Sequence, residues 1–208
     1  MKQIASKSRL AIVLSSLEGF SEPKVGQEQY LMDSEIAAFV LWNAYLLGNI
    51  KGKAIADLGC GTGMLGIGAL LLGAKRVIFV DFDENALKAA KNNISKVKSE
   101  GYKLGKAKLV CKDIGKLEIK ADVVLQNPPF GTKIKHSDVF FLEKALQIAP
   151  VVYSFHKSET KAFLQRFSAR KNTKITHIWD FKFPLKASFS FHRRQIHRIN
   201  VSCLRFEK

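Results

Sequence analysis

The sequence predicts an α/β chain in which a mostly parallel sheet, covered by helices on both faces, closes with an antiparallel C-terminal hairpin. Three observations predict it. From residue 53 onward, short apolar β-branched runs alternate with helical patterns, as parallel strands joined by crossover helices do. The last two runs have no helix between them, so they should pair antiparallel. Residues 1–50 read as helical instead and form an N-terminal extension.

The elements follow in order. Leu10, Val13, Leu14 and Leu17 recur at helical spacing on one face. Lys7 and Arg9 ahead of that apolar stretch resemble the start of a signal peptide, but Glu18 stands where a small-residue cleavage site is needed. Residues 20–29 are polar, contain Pro23 and Gly26, and read as a loop; 33–47 carry a second helical pattern. Strands are then expected at 53–58, 76–81, 108–112, 122–126, 151–155, 174–183 and 197–206. Helices are expected at 64–72, 84–97, 137–149 and 158–170. With 208 residues and 47% hydrophobic content, the chain suits one domain, 1–208, in which 51–208 form the core.

Thirty-four Lys+Arg against 18 Asp+Glu give a formal charge of +16, which favours a polyanionic partner, nucleic acid first. The excess is uneven, since residues 155–208 carry 13 Lys+Arg and 3 Asp+Glu. The substrate surface is expected there. Cys60, Cys111 and Cys203 stand far apart with no ligand spacing, so neither a disulfide framework nor a zinc site is indicated, and no metal is expected. No apolar run approaches bilayer length, and a cytoplasmic protein without membrane association is expected.

Asp57-Leu58-Gly59-Cys60-Gly61-Thr62-Gly63 falls where the first strand turns into a helix. Small residues there let a ligand approach the backbone at the carboxyl end of the sheet. Gly61, Gly63 and Gly66 also satisfy the dinucleotide pattern, with Asp81 ending the next strand as a ribose ligand, so the glycines alone leave a dehydrogenase open. Asp57 weighs against it. A carboxylate beside a pyrophosphate repels it, whereas it can organise the loop and accept from the ammonium group of S-adenosylmethionine.

Asn127-Pro128-Pro129-Phe130 ends the fourth strand and should face the same crevice. An amino group conjugated with a base is a poor nucleophile. The Asn127 side-chain oxygen and the Pro128 carbonyl can accept its two hydrogens, pyramidalise the nitrogen and stabilise the positive charge that develops there. The prolines stiffen the loop, and Phe130 offers a face on which an extruded base can stack. Asn127 also borders the cofactor. In the basic stretch 184–198, Phe189 and Phe191 interleave with Lys186, Arg193 and Arg194, a mixture suited to phosphates and unstacked bases. His156 and Lys157, ending the fifth strand, are further candidate RNA contacts.

The glycine motif and the strand pattern resemble those of the seven-stranded, Rossmann-like class I methyltransferases. That resemblance implies that Asp81 binds the cofactor ribose, Phe82 lies against its adenine, and Asp113 with Ile114 receives the adenine amino group. Asn-Pro-Pro-Phe resembles the catalytic motif of N6-adenine and N5-glutamine methyltransferases. The runs 127–133 (Asn-Pro-Pro-Phe-Gly-Thr-Lys) and 151–157 (Val-Val-Tyr-Ser-Phe-His-Lys) look like the methyltransferase-like protein 5 family, which modifies an adenosine of small-subunit ribosomal RNA. Glu28-Gln29-Tyr30 also resembles that family, where the tripeptide lies over the cofactor, so Gln29 and Tyr30 are implied cofactor ligands. The family continues with Pro-Thr where Leu31-Met32 stand here, and Ser34 is the candidate replacement for the threonine hydroxyl. The resemblance implies RNA as partner and, in eukaryotes, a small zinc-containing activator subunit. The alternatives are a glutamine N5-methyltransferase, a DNA N6-adenine methyltransferase and a non-catalytic RNA-binding protein. Against the first stand the surplus charge, Phe rather than Tyr at position 130, and a short N-terminal extension.

Overall fold

A computed structural model describes residues 2–20, 32–129, 137–185 and 197–208. Its strands are β1 (Ala54–Leu58), β2 (Arg76–Asp81), β3 (Lys106–Cys111), β4 (Val123–Gln126), β5 (Val151–Lys157), β6 (Lys174–Leu185) and β7 (His197–Glu207). They form one seven-stranded sheet in the order β3-β2-β1-β4-β5-β7-β6. β1 to β5 run parallel, whereas β7 is antiparallel to both of its neighbours, β5 and β6. The antiparallel C-terminal pair is thus present, with the later strand on the inside.

The helices are α1 (Lys7–Ser15), α2 (Ser34–Leu46), α3 (Met64–Leu71), α4 (Glu84–Ser99), α5 (Ser137–Ile148) and α6 (Lys161–Arg170). The starts of α1, α2 and α4 follow from capping side chains, which satisfy amides that have no partner within the helix. Ser6 accepts from Arg9 N, Asp33 from Glu35 N and Ile36 N, and Asp83 from Asn85 N. The helix expected from 158 begins at Lys161, because Ser158–Thr160 form a 3-10 turn first.

Two cores lie on opposite faces of the sheet. Ile55, Val123, Val151 and Phe155 pack under α1 to α4, while their neighbours Ala56, Val124 and Val152 pack under α5 and α6. Burial on both faces explains why the central strands read as continuous apolar runs instead of alternating ones. Leu10, Val13, Leu14 and Leu17 are all buried, so the N-terminal helix uses the face its spacing implied.

The strand register sets the position of the site. Leu58 of β1 aligns with Val80 of β2 and with Gln126 of β4. The next step along each strand brings Gly59, Asp81 and Asn127 to the carboxyl edge. Strand order reverses at β1, and a crevice opens at such a switch point in open α/β sheets.

Candidate active site

The glycine turn is held from below and from the side. Gly59, Gly61 and Gly63 have φ of 64°, 53° and 89°, values that L side chains rarely adopt. The Cys60 amide donates to the Val80 carbonyl at 3.0 Å, and the Gly63 amide to the Cys60 carbonyl at 2.8 Å. Asp57 is buried, and its Oδ2 accepts from the Gly66 amide at 2.8 Å, tying the first turn of α3 to β1. The loop-organising role of Asp57 therefore has a physical form. Asp81 accepts from Gly61 N at 2.8 Å through one carboxylate oxygen and from Asp83 N at 3.0 Å through the other. Burial raises the Asp81 carboxyl above its ordinary range, opposed by those amides.

Burial also pushes the Asp57 carboxyl up to about 7, with the Gly66 amide lowering it and the Asp81 charge raising it. In the unfolded chain an Asp titrates near 4. The folded value is the higher one, so the stabilising contribution is complete below about pH 4 and is lost as pH rises through about 7. Thermal melts of the wild type and Asp57→Asn between these limits are expected to show the wild type losing stability relative to the variant as pH rises. Parallel profiles would contradict this.

Phe82 follows Asp81 and is 59% exposed, so its ring is accessible at the end of β2. Asp113 caps a 3-10 turn, Ile114–Lys116, by accepting from Gly115 N at 2.7 Å. The Ile114 side chain is buried among residues of the α5-side core. Asn127 follows β4, and its side-chain oxygen is buried and has no hydrogen-bond partner. Pro128 is buried and Pro129 half-buried; the Pro129 carbonyl accepts from Ser137 Oγ at 3.3 Å, at the start of α5.

One expectation is corrected. His156 is fully buried, because β5 lies between β4 and β7 and Asp138 on α5 meets the imidazole; it cannot contact RNA directly. Lys157 is half-buried beside Glu159, 3.8 Å away. Gln29, Tyr30, Phe130, Lys186, Phe189, Phe191, Arg193 and Arg194 lie outside the described residues.

The structure adds residues that the sequence did not point to. A Cβ on Gly61 would meet the Phe20 ring at 2.9 Å, and one on Gly59 the Phe141 ring at 3.0 Å, so two aromatic rings border the turn. Asn93 of α4 is fully buried. Its Oδ1 accepts from Glu18 N at 2.8 Å, and its Nδ2 donates to the carbonyls of Glu18 and Thr62, each at 3.0 Å. It thus joins the exit of α1 to the glycine turn. The available signal was an Asn on the otherwise apolar face of α4. Asn93→Ala takes a partner from the buried Thr62 carbonyl and from two part-buried backbone groups of Glu18, and is expected to cost about 2–3 kcal/mol. The melting temperature should fall by roughly 5 to 10 °C in a calorimetric scan.

Among the described residues, no group of three or more His, Cys, Asp or Glu could hold a metal ion, and no helix is long and apolar enough to cross a membrane. Cys60 and Cys203 are buried thiols, and Cys111 is exposed.

The sheet order, with an inserted antiparallel seventh strand and a glycine turn after β1, defines a class I S-adenosylmethionine-dependent methyltransferase. The same fold occurs in magnesium protoporphyrin IX methyltransferase from Synechocystis, solved with bound S-adenosylhomocysteine (15% identity, TM-score 0.65, 88% of this chain and 84% of that one). The family model for ribosomal protein L11 methyltransferase (PrmA) matches residues 43–128. The rRNA N(6)-adenosine-methyltransferase METTL5 of Danio rerio is 35% identical over 93% of this chain and 94% of its own length. Its Drosophila melanogaster counterpart is 33% identical over 96% and 95%. The chain belongs to the METTL5 family. A solved Pyrococcus horikoshii protein, described as a candidate RNA methyltransferase, is 43% identical with a TM-score of 0.88 and covers 99% of each chain.

Proposed function

We propose that this chain transfers a methyl group from S-adenosylmethionine to the exocyclic N6 of an adenosine in ribosomal RNA. The observation that carries the reading is the Asn127 side-chain oxygen, a buried acceptor without a partner at the carboxyl edge of the sheet. Leaving such a group unpaired costs about 1–3 kcal/mol, so it is a natural receiver for an incoming N–H. An adenine amino group has two hydrogens, and the Pro128 carbonyl is the second acceptor.

When bound, S-adenosylmethionine supplies an electrophilic methyl group on a sulfonium leaving group. The residues around the turn fit it. Asp81 keeps lone pairs on both oxygens for ribose hydroxyls, exposed Phe82 offers a face to adenine, and Asp113 an acceptor for its amino group. Asp57 holds the turn in place from behind through the Gly66 amide. Asn127 then draws the substrate nitrogen toward tetrahedral geometry and holds its lone pair toward the methyl group. The proton leaves to solvent afterwards.

The substrate class rests on the names carried by the METTL5 relatives and on the +16 charge, which suits a phosphate backbone. Gln29 and Tyr30 over the cofactor, Phe130 against the flipped base, and Lys157, Lys186, Phe189, Phe191, Arg193 and Arg194 along the RNA complete the reading. A small zinc-containing activator subunit belongs to it as a partner.

The test incubates the chain with labelled cofactor and, separately, total RNA, DNA and protein, then digests each product. Label recovered as N6-methyladenosine, with ribosomal RNA as its source, is the expected result. Label only in glutamine or only in DNA would replace the substrate assignment, and cofactor binding without transfer to any polymer would end it.

A further inference from the structure

A buried chain of polar groups lies behind Asn127 and has no part in the mechanism above. Gln126, the last residue of β4, donates from Nε2 to Ser154 Oγ at 2.9 Å. Ser154 Oγ lies 2.7 Å from His156 Nε2, and His156 Nδ1 lies 3.4 Å from Asp138 Oδ2. Gln126, Ser154 and His156 are fully buried; Asp138 stands in the first turn of α5. Burial acts to raise the Asp138 carboxyl, but its interactions with His156, the hydrogen bond first, outweigh burial and hold the group below the ordinary carboxylate range.

The chain has a direction. An ionised carboxylate only accepts, so a neutral His156 carries its ring proton on Nδ1 and presents a lone pair at Nε2. Ser154 then donates to Nε2, and its own lone pairs accept from Gln126 Nε2. Gln126 Oε1 is then left pointing away from the chain, buried and without a partner among the described residues. Reversing the amide would require the Ser154 hydrogen for Gln126 Oε1 and a donating Nε2 on the ring. A neutral imidazole would then turn a lone pair toward Asp138, which is repulsive. The orientation of an amide on β4 is thus dictated by a carboxylate on α5.

The same groups fasten both flanks of residues 127–136. Gln126 immediately precedes Asn127, Asp138 follows the stretch, and Ser137 Oγ reaches back to the Pro129 carbonyl.

We propose that His156, held in one tautomer by Asp138, is a positioning residue for methyl transfer. Through Ser154 it fixes the Gln126 amide and clamps the end of β4 to the start of α5, so that Asn127 and Pro128 present their oxygens in one geometry. It touches neither cofactor nor substrate. This rests on the acceptor role given to Asn127 above.

Two measurements test it. Long-range proton–nitrogen correlation spectra of the full chain should show the His156 ring proton on Nδ1, facing Asp138, and a lone pair at Nε2. A proton on Nε2 overturns the proposal. In steady-state kinetics, Ser154→Ala and Asp138→Ala should each lower kcat by about tenfold, because a small misplacement of reacting groups is costly. KM for the polymer and Kd for the cofactor should change by less than about twofold. Asp138→Asn keeps an oxygen that can accept from Nδ1–H and should recover most of the loss. If Ser154→Ala does not fold, the Asp138 pair decides, since that side chain is partly exposed. Rates are read on whichever of RNA, DNA and protein the wild type labels. A wrong substrate therefore shows in that choice, whereas Asp138→Ala at the wild-type kcat overturns the positioning role itself.

Discussion

Replacing Asn127 by alanine is expected to lower kcat by about a hundredfold to a thousandfold while the Kd for S-adenosylmethionine stays within about threefold. The magnitude follows from the chemistry of a preorganised acceptor. In the ground state the adenine amino group is conjugated and nearly flat, so Asn127 gains only an ordinary hydrogen bond from it. As the methyl group arrives, positive charge builds on that nitrogen, and the buried oxygen, which has no partner among the described residues, meets a far stronger donor. The interaction strengthens toward the transition state, and such an interaction appears in kcat more than in binding. In the proposed reading the cofactor is held mostly by the glycine turn and the ends of β2 and β3, so its Kd should change little. Single-turnover kinetics with a separate calorimetric Kd check both halves. An unchanged kcat, or a kcat loss fully explained by lost cofactor affinity, would refute the acceptor role.

The second large effect concerns stability. Gly66→Ala is expected to destabilise the fold by about 3 kcal/mol and to weaken cofactor binding with it. A Cβ at position 66 would lie 2.3 Å from Phe79 Cε1, 2.8 Å from Phe79 Cζ and 2.9 Å from Asp57 Oδ2. Phe79 is fully buried and pairs with Asp57 across β1 and β2, so neither ring nor carboxylate can withdraw. Helix α3 must move out instead, and its link to β1, the Gly66 amide on Asp57, stretches. Alanine's better helix propensity recovers about 1 kcal/mol, less than the overpacking costs. A melting temperature lower by roughly 6 to 12 °C, with the cofactor Kd raised in parallel, is the result to look for. The same melt with unchanged affinity would show that the turn does not depend on where α3 lies.

Much of this architecture was legible because parallel strands and their crossover helices have unlike periods. The β1, β2 and β4 runs are apolar on both sides of the pleat, and their ends were placed within a residue or two. β3 begins earlier than expected, at Lys106, because it is an edge strand whose pairing is made by backbone while Lys106, Ala107 and Lys108 face solvent. Composition does not signal such a strand. That β7 would insert between β5 and β6 was not legible either, since a missing crossover implies antiparallel pairing without saying on which side the partner lies. The expected candidates Asp57, Asp81, Asp113 and Asn127 do lie at or near the carboxyl ends of strands, where strand ends in this arrangement converge: Asp57 is next to last in β1, Asp81 ends β2, and Asp113 and Asn127 follow β3 and β4. His156 was misplaced for the converse reason. A position near the carboxyl edge suggested access, but a strand covered on both faces hides a histidine as readily as a valine. Phe20, Phe141 and Asn93 escaped notice because their roles arise from approaches between elements distant in sequence.

The interior place of β7 makes both β5 and β6 depend on it for pairing. Residues 201–206 are buried to the last and supply both the right-hand neighbour of β5 and the left-hand neighbour of β6. Until residues 197–207 are in place, β5 carries a bare hydrogen-bonding edge and β6 lacks its partner in the sheet, so a chain folded without β7 is open to edge-to-edge self-association. Zipping in that final strand is what turns a half-finished sheet into a molecule able to work.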